Sequence, residues 1–153
     1  AANGGRAIKG VSLRILRDVT QQSFAQTGFP SVQAELIYAD GTPAARQALL
    51  NALAANERST TNFIIASFDQ SKFTGWEGVA GHISPVAAYD AQTRRVLIMD
   101  VDREWVEPYW VGADEFITAM GGRESVEGNF RGLVVVRLGE KRVSPSPPPA
   151  AAK

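Results

Sequence analysis

The chain has 153 residues, of which 44% are hydrophobic and 21% charged, and 16 basic side chains balance 16 acidic ones. This length and composition predict one globular domain with a single core. A formal charge of zero argues against nucleic-acid and membrane-surface partners, and the absence of cysteine excludes disulfides, thiolate metal sites and a cysteine nucleophile within these residues.

The first half of the chain alternates predicted helices and strands. In chain order these are a helix capped by Ser12, a strand over residues 34–38, a helix over 44–56, a strand over 62–68 and a loop over 69–78. Thr42 and Pro43 supply a cap and a first-turn proline for the second helix, whereas Gly28 and Pro30 end the first.

The second half is dominated by a predicted hairpin. The elements are strands over residues 81–89 and 95–101, an aromatic loop over 105–110, a helix over 113–120 and a strand over 132–138. Because both hairpin strands are almost continuously apolar, we predict a sheet covered on both faces, with Pro85 marking an edge or a bulge. Residues 139–153 are rich in proline and alanine and predict a flexible tail after a domain over 1–138.

The single histidine, His82, begins the first hairpin strand, and Asp100 follows near the end of the second. If the turn centre lies near Gln92, His82 faces Asp102, and Asp100 is its diagonal neighbour on the same face. Diagonal pairs lie roughly 7–8 Å apart at the backbone, within reach of an imidazole and a carboxylate. Such a pair suits acyl transfer, in which the histidine moves a proton and the carboxylate orients the ring.

Spacing alone favours a structural role for both residues, because a lone His and Asp pair is an unspecific signal. A serine nucleophile is a poor alternative, since Ser84 lies on a strand and no G-x-S-x-G turn is present. His82 with Asp90, Asp100 and Asp102 does not form a zinc pattern, so no metal or other cofactor is predicted.

The segment AGHISPVAAYDAQTRRVLIMDVDREWVEPYWV resembles the signature stretch of phytochelatin synthases, which show G-H-x-S-P-x-x-x-Y, I-x-D-V-x-R and W-V in this order. The resemblance extends loosely over residues 8–138. It implies an α+β, papain-like fold, here its second half of antiparallel sheet and flanking helices, with a Cys-His-Asp triad that acts on glutathione. By this resemblance His82 is the general base and Asp100 its orienting carboxylate, while Arg131 and Arg103 contact substrate.

The family's cysteine would precede Ala1, so the resemblance implies that the half of the domain bearing the nucleophile is missing from this chain. The chain does not begin with Met, and we expect a processed or truncated N-terminus. The expected partners are glutathione or γ-glutamyl peptides and the missing half. Because a half-domain exposes its packing face, self-association is also expected.

Two alternatives to an enzyme fragment remain open. One is a non-catalytic homologue that binds γ-glutamyl peptides or a protein partner through the cleft that corresponds to the family's substrate-binding cleft. The other is a papain-like peptidase of another family, against which the H-x-S-P and D-V-x-R runs argue. The family's heavy-metal response is linked to metal-thiolate substrates and cysteine-rich extensions, so metal binding by this chain is expected to be weak.

Overall fold

The computed structural model describes residues 10–102, 104 and 106–141. Arg103, most of the predicted tail and the first nine residues lie outside this part of the chain. The described helices are α1 (Leu13–Gln26), α2 (Pro43–Glu57), α3 (Ser71–Thr74) and α4 (Ala113–Met120). The strands are β1 (Gln33–Tyr38), β2 (Asn62–Asp69), β3 (Gly81–Asp90), β4 (Arg95–Ile98), β5 (Tyr109–Gly112) and β6 (Gly132–Arg137).

The helix ends follow the sequence signals. The Ser12 side chain accepts a hydrogen bond from the Ile15 N–H at the start of α1. Thr42, which directly precedes the first-turn proline of α2, accepts one from the Ala45 N–H. These side chains satisfy N–H groups that have no partner within the helix. The predicted positions of α1, α2 and α4 are therefore confirmed to within two residues at each end.

The six strands form one antiparallel sheet in the order β1-β6-β2-β3-β4-β5. The α+β class is confirmed. Two elements were missed: α3 lies within the predicted loop 69–78, and β5 begins at the end of the predicted loop 105–110. No described helix is both long and apolar enough to cross a membrane.

Two cores lie on opposite faces of the sheet. The larger core packs α2 and α4 on one face, around Leu49, Phe68 and Phe116, and the smaller packs α1 on the other around Leu13 and Val134. The fully buried residues of β6 alternate between the two cores. The prediction of a single core was wrong, because the central strands carry apolar side chains on both faces.

The prediction that both faces of the sheet are covered by other elements is wrong for the hairpin strands β3 and β4. Along β3 and β4, buried side chains such as Val86 and Val96 alternate with half-buried or exposed ones. Leu97 and Trp110 pair on the face opposite the larger core, where Trp110 is 42% exposed. On this face α1 covers only β1, β6 and β2. The apolar composition of the hairpin strands therefore did not predict which of their side chains are buried.

A β-bulge interrupts the hairpin between Val86 and Ala88. Val86 lies opposite Ile98, whereas on the turn side of the bulge Ala88 lies opposite Leu97. The irregularity thus falls close to Pro85, where the sequence predicted an edge or a bulge.

Candidate active site

His82 and Asp100 meet at the end of the hairpin that lies away from its turn. The His82 Nε2 atom lies 2.9 Å from Asp100 Oδ1. Asp100 is 2% exposed, while the His82 side chain is 16% exposed. The predicted proximity of the two side chains is therefore confirmed, and the imidazole retains contact with solvent.

The imidazole is fixed from the side of the larger core. His82 lies opposite Phe68 on β2, and the two rings pack edge to face with centroids 5.6 Å apart. Phe68 is fully buried and also contacts Phe73 and Phe116. An aromatic cluster of this kind restricts the ring plane of a histidine by packing on it.

The Asp100 carboxylate accepts four hydrogen bonds. Oδ1 accepts from His82 and from the Asp102 backbone N–H at 2.9 Å, and Oδ2 accepts from Gln70 Nε2 at 2.8 Å and from the Tyr109 hydroxyl at 3.2 Å. A buried carboxylate needs such donors because desolvation otherwise disfavours its charge. Sequence patterns gave no indication that Gln70 and Tyr109 donate hydrogen bonds to Asp100.

The loop before β3 is closed by a second buried carboxylate. Asp69 Oδ1 accepts hydrogen bonds from the Ser71 N–H and hydroxyl and from the Ala80 N–H. Burial acts to raise the pKa of Asp69, but these hydrogen bonds outweigh it and lower the pKa below the ordinary aspartate value. This closure places Gln70 beside the start of β3, and thus beside the site.

Arg131 and His82 line one cavity of about 280 Å³, together with Ser67, Gly81 and Glu124. Arg131 immediately precedes β6, and its backbone is held on both sides, since its N–H donates to Gly122 O and its carbonyl accepts from the Ala39 N–H. The residue is 5% exposed, and within the described ranges no carboxylate forms an ion pair with it.

Glu124, in the same cavity wall, does not neutralise Arg131. Its carboxylate instead accepts hydrogen bonds from the backbone N–H groups of Val126, Glu127 and Asn129. A buried cation without a partner is energetically costly. The cavity is therefore suited to an anionic group that would pair with Arg131.

The remaining candidates from the sequence are a serine nucleophile, a metal site and Arg103. Ser84 is fully buried, and its hydroxyl accepts a hydrogen bond from the Val101 N–H. Among the described residues there is no group of three or more side chains suited to hold a metal ion. Arg103 lies outside the described residues, so its predicted contact with substrate stays a prediction.

A family model described as phytochelatin synthase matches residues 9–133. The chain belongs to the phytochelatin synthase family. A relative from Triticum aestivum, glutathione gamma-glutamylcysteinyltransferase 1, is 35% identical over 75 residues. That alignment covers 48% of this chain and 14% of the wheat protein, so the chain spans only a small part of it.

Proposed function

We propose that this chain provides the histidine and aspartate of a papain-like, thiol-dependent acyl-transfer site that acts on glutathione. The observation that carries the proposal is the hydrogen bond between His82 and the buried Asp100, beside a cavity lined by Arg131, which forms no ion pair with any described carboxylate. The resemblance in sequence and the family membership supply the substrate class.

His82 acts as the general base and acid. With Nε2–H donating to Asp100, Nδ1 is the ring nitrogen left to accept a proton from a thiol. A carboxylate on one ring nitrogen fixes the tautomer and stabilises the imidazolium that forms after proton transfer. Asp100 is thus the orienting group and does not contact the reacting carbonyl.

The attacking thiolate comes from polypeptide outside these 153 residues, since the chain contains no cysteine. The thiolate attacks the carbonyl between the cysteinyl and glycine residues of glutathione, a thioester forms, and the bond to the glycine nitrogen breaks. The His82 imidazolium donates its proton to the departing amine. The amine of a second glutathione, or water, then attacks the thioester while His82 takes the proton of that nucleophile, and the C–S bond breaks to release the acyl product and return the thiol group.

Arg131 binds a carboxylate of the substrate. It lies in the wall of the same cavity as His82, is buried, and has no carboxylate partner in the described part of the chain. Charge-assisted, bidentate pairing is the interaction for which a guanidinium is best suited. We propose the same class of role for Arg103, on the basis of the resemblance alone.

The proposal extends to the domain organisation. Residues 1–138 are part of a papain-like catalytic domain, and residues 139–153 follow it as a separate tail. The described start of that tail lies against the loop after α1, where the Lys141 ammonium is 5.9 Å from the centroid of the Phe29 ring.

Binding of glutathione by the chain tests the substrate class directly. Titration followed by backbone amide NMR should shift the signals of His82 and its cavity neighbours, and Arg131→Met should weaken binding by about tenfold or more, the loss typical of one charge-assisted hydrogen bond. Arg137→Met is the matched control, because Arg137 lies partly exposed at the far end of β6 and pairs with Glu35. Binding that is indifferent to Arg131, or absent altogether, contradicts the proposal.

The reaction itself is tested with a longer protein. The chain alone should release no glycine from glutathione, whereas a protein extended by the coding sequence upstream of Ala1 should release it, and His82→Gln should abolish the release. If the upstream sequence encodes no cysteine, the chain is instead a non-catalytic glutathione-binding homologue. Steady glycine release by the 153-residue chain would refute the need for an external thiol.

A further inference from the structure

Four donors surround the Asp100 carboxylate, and two of them have no place in the reaction proposed above. We infer that Gln70 and Tyr109 are positioning residues that hold Asp100 Oδ2, so that Oδ1 stays directed at His82 Nε2. Gln70 Nε2 donates at 2.8 Å and the Tyr109 hydroxyl at 3.2 Å, both to the oxygen that His82 does not use. Oδ1 thus contacts the imidazole, while Oδ2 is held by the two positioning residues.

The two donors come from separate elements. Gln70 precedes α3, where its own N–H donates to Ala80 O and its carbonyl accepts from the Phe73 N–H. Tyr109 begins β5 opposite Ile98, and its ring packs on Phe73 with centroids 6.2 Å apart. The backbones of both residues are thus fixed independently of Asp100, which is what a positioning contact requires.

Both donors are suited to a carboxylate. Gln70 is 4% exposed, so its side-chain amide needs a hydrogen-bond acceptor within the protein, and Asp100 Oδ2 is that acceptor. Burial, followed by the negative charge of Asp100, raises the pKa of Tyr109 to about 12. The phenol is therefore a neutral donor throughout the physiological pH range, and the carboxylate cannot rotate without breaking two hydrogen bonds.

Without these two donors the carboxylate would still be held by His82 and by the Asp102 N–H, both at Oδ1. Rotation about the bond to the carboxyl group would then exchange the two oxygens and interrupt the contact with the imidazole. The positioning role therefore predicts a faster opening of the His82 Nε2–H bond when the donors are removed, with the fold retained.

The single histidine of the chain makes this measurable, since the ring gives one set of nitrogen-edited NMR signals. The rate at which the His82 Nε2 proton exchanges with water is compared in wild type, Gln70→Met, Tyr109→Phe and the double variant. Each single variant keeps the shape of the side chain and should accelerate exchange by about tenfold, and the double variant should lose the signal. Gln21→Met and Tyr89→Phe, which remove polar groups that do not contact Asp100, should leave the rate unchanged.

Backbone amide exchange of Val134 and Val135 in β6 reports global unfolding in the same samples. If these amides accelerate by the same factor as the His82 proton, the two residues serve stability alone and the inference is wrong. An unchanged His82 rate in a folded double variant also overturns it, as does the absence of a protected Nε2 proton in wild type. Should Gln70→Met not fold, Tyr109→Phe decides by the same criteria.

The catalytic meaning of this arrangement rests on the proposed function, but the exchange measurement requires neither nucleophile nor substrate. Failure of glutathione to bind would defeat the proposed function and leave the positioning result intact. Unchanged proton exchange would defeat the positioning role and leave glutathione binding by Arg131 intact.

Discussion

Replacement of Gly132 by alanine is expected to destabilise the chain strongly. A Cβ atom at this position would lie 2.0 Å from the carbonyl oxygen of Ile37 and 3.0 Å from Tyr38 Cα. Both neighbours are backbone atoms of β1, which is paired with β6 at this point, so no side-chain rotation can relieve the contact. The strands must separate.

The cost can be worked out from the bonds at this end of the ladder. Separation removes the 2.8 Å hydrogen bond from the Ala39 N–H to Arg131 O, which lies next to the Tyr38 and Gly132 pair. One lost backbone hydrogen bond at about 1 kcal/mol, with about 1–3 kcal/mol of overpacking strain, gives about 2–4 kcal/mol. This is a large fraction of the ~5–15 kcal/mol stability of an ordinary domain.

Urea unfolding followed by tryptophan fluorescence measures the change in free energy. Gly81→Ala is the matched control, because Gly81 also lies in a strand and its Cβ would meet nothing closer than Arg131 Nη2 at 3.7 Å. The control should leave the free energy of unfolding unchanged, or raise it by up to about 1 kcal/mol because alanine lowers the conformational entropy of the unfolded chain. Equal stabilities of Gly132→Ala and Gly81→Ala would refute the steric reasoning.

Three further predictions concern the site and its support. Gly122→Ala should weaken glutathione binding in an NMR titration with little change in urea midpoint, because a Cβ there would lie 2.6 Å from Arg131 Nη1, the movable end of a side chain; unaltered binding would contradict this. The unfolded chain loses the Tyr109 proton near pH 10, whereas the folded chain retains it to about pH 12. Wild type should therefore lose stability between these values, by on the order of 1 kcal/mol more than Tyr109→Phe after allowance for partial exposure; parallel pH profiles would exclude this. Asn56→Leu should raise stability by about 1 kcal/mol, since the Asn56 Oδ1 atom is buried without a hydrogen-bond partner among the described residues; a lower urea midpoint would show that this atom is satisfied.

The sequence was most informative where local signals were strong. The caps at Ser12 and Thr42 and the apolar runs of β2, β3 and β6 placed those elements, and the hairpin of β3 and β4 was enough to predict that His82 lies near Asp100, although the contact also requires the bulge in β3. In each case the determining interactions lie within one element or one hairpin, which is the range over which sequence patterns carry information.

The contacts around Asp100 could not be predicted in the same way. Gln70 is 30 residues away in sequence, and it reaches the carboxylate only because Asp69 closes the intervening loop. Tyr109 depends on β5, a four-residue strand directly after a proline, whose pattern is too short to distinguish it from a loop. The surroundings of Arg131 likewise include residues that no local pattern connects with it, since Gly122 lies beside its guanidinium and Ala39 donates to its carbonyl.

The β-bulge in β3 determines on which side of the sheet the aspartate lies. At the turn, Asp90 is opposite Arg95, and an uninterrupted ladder with that register would put Asp100 opposite Pro85, on the face away from His82. The additional residue at the bulge shifts the pairing by one and returns both side chains to the same face. The bulge is thus as much a condition for the contact between His82 and Asp100 as the identity of the two residues, because the same chain with Ala87 taken into a regular ladder would place the two side chains on opposite faces of the sheet.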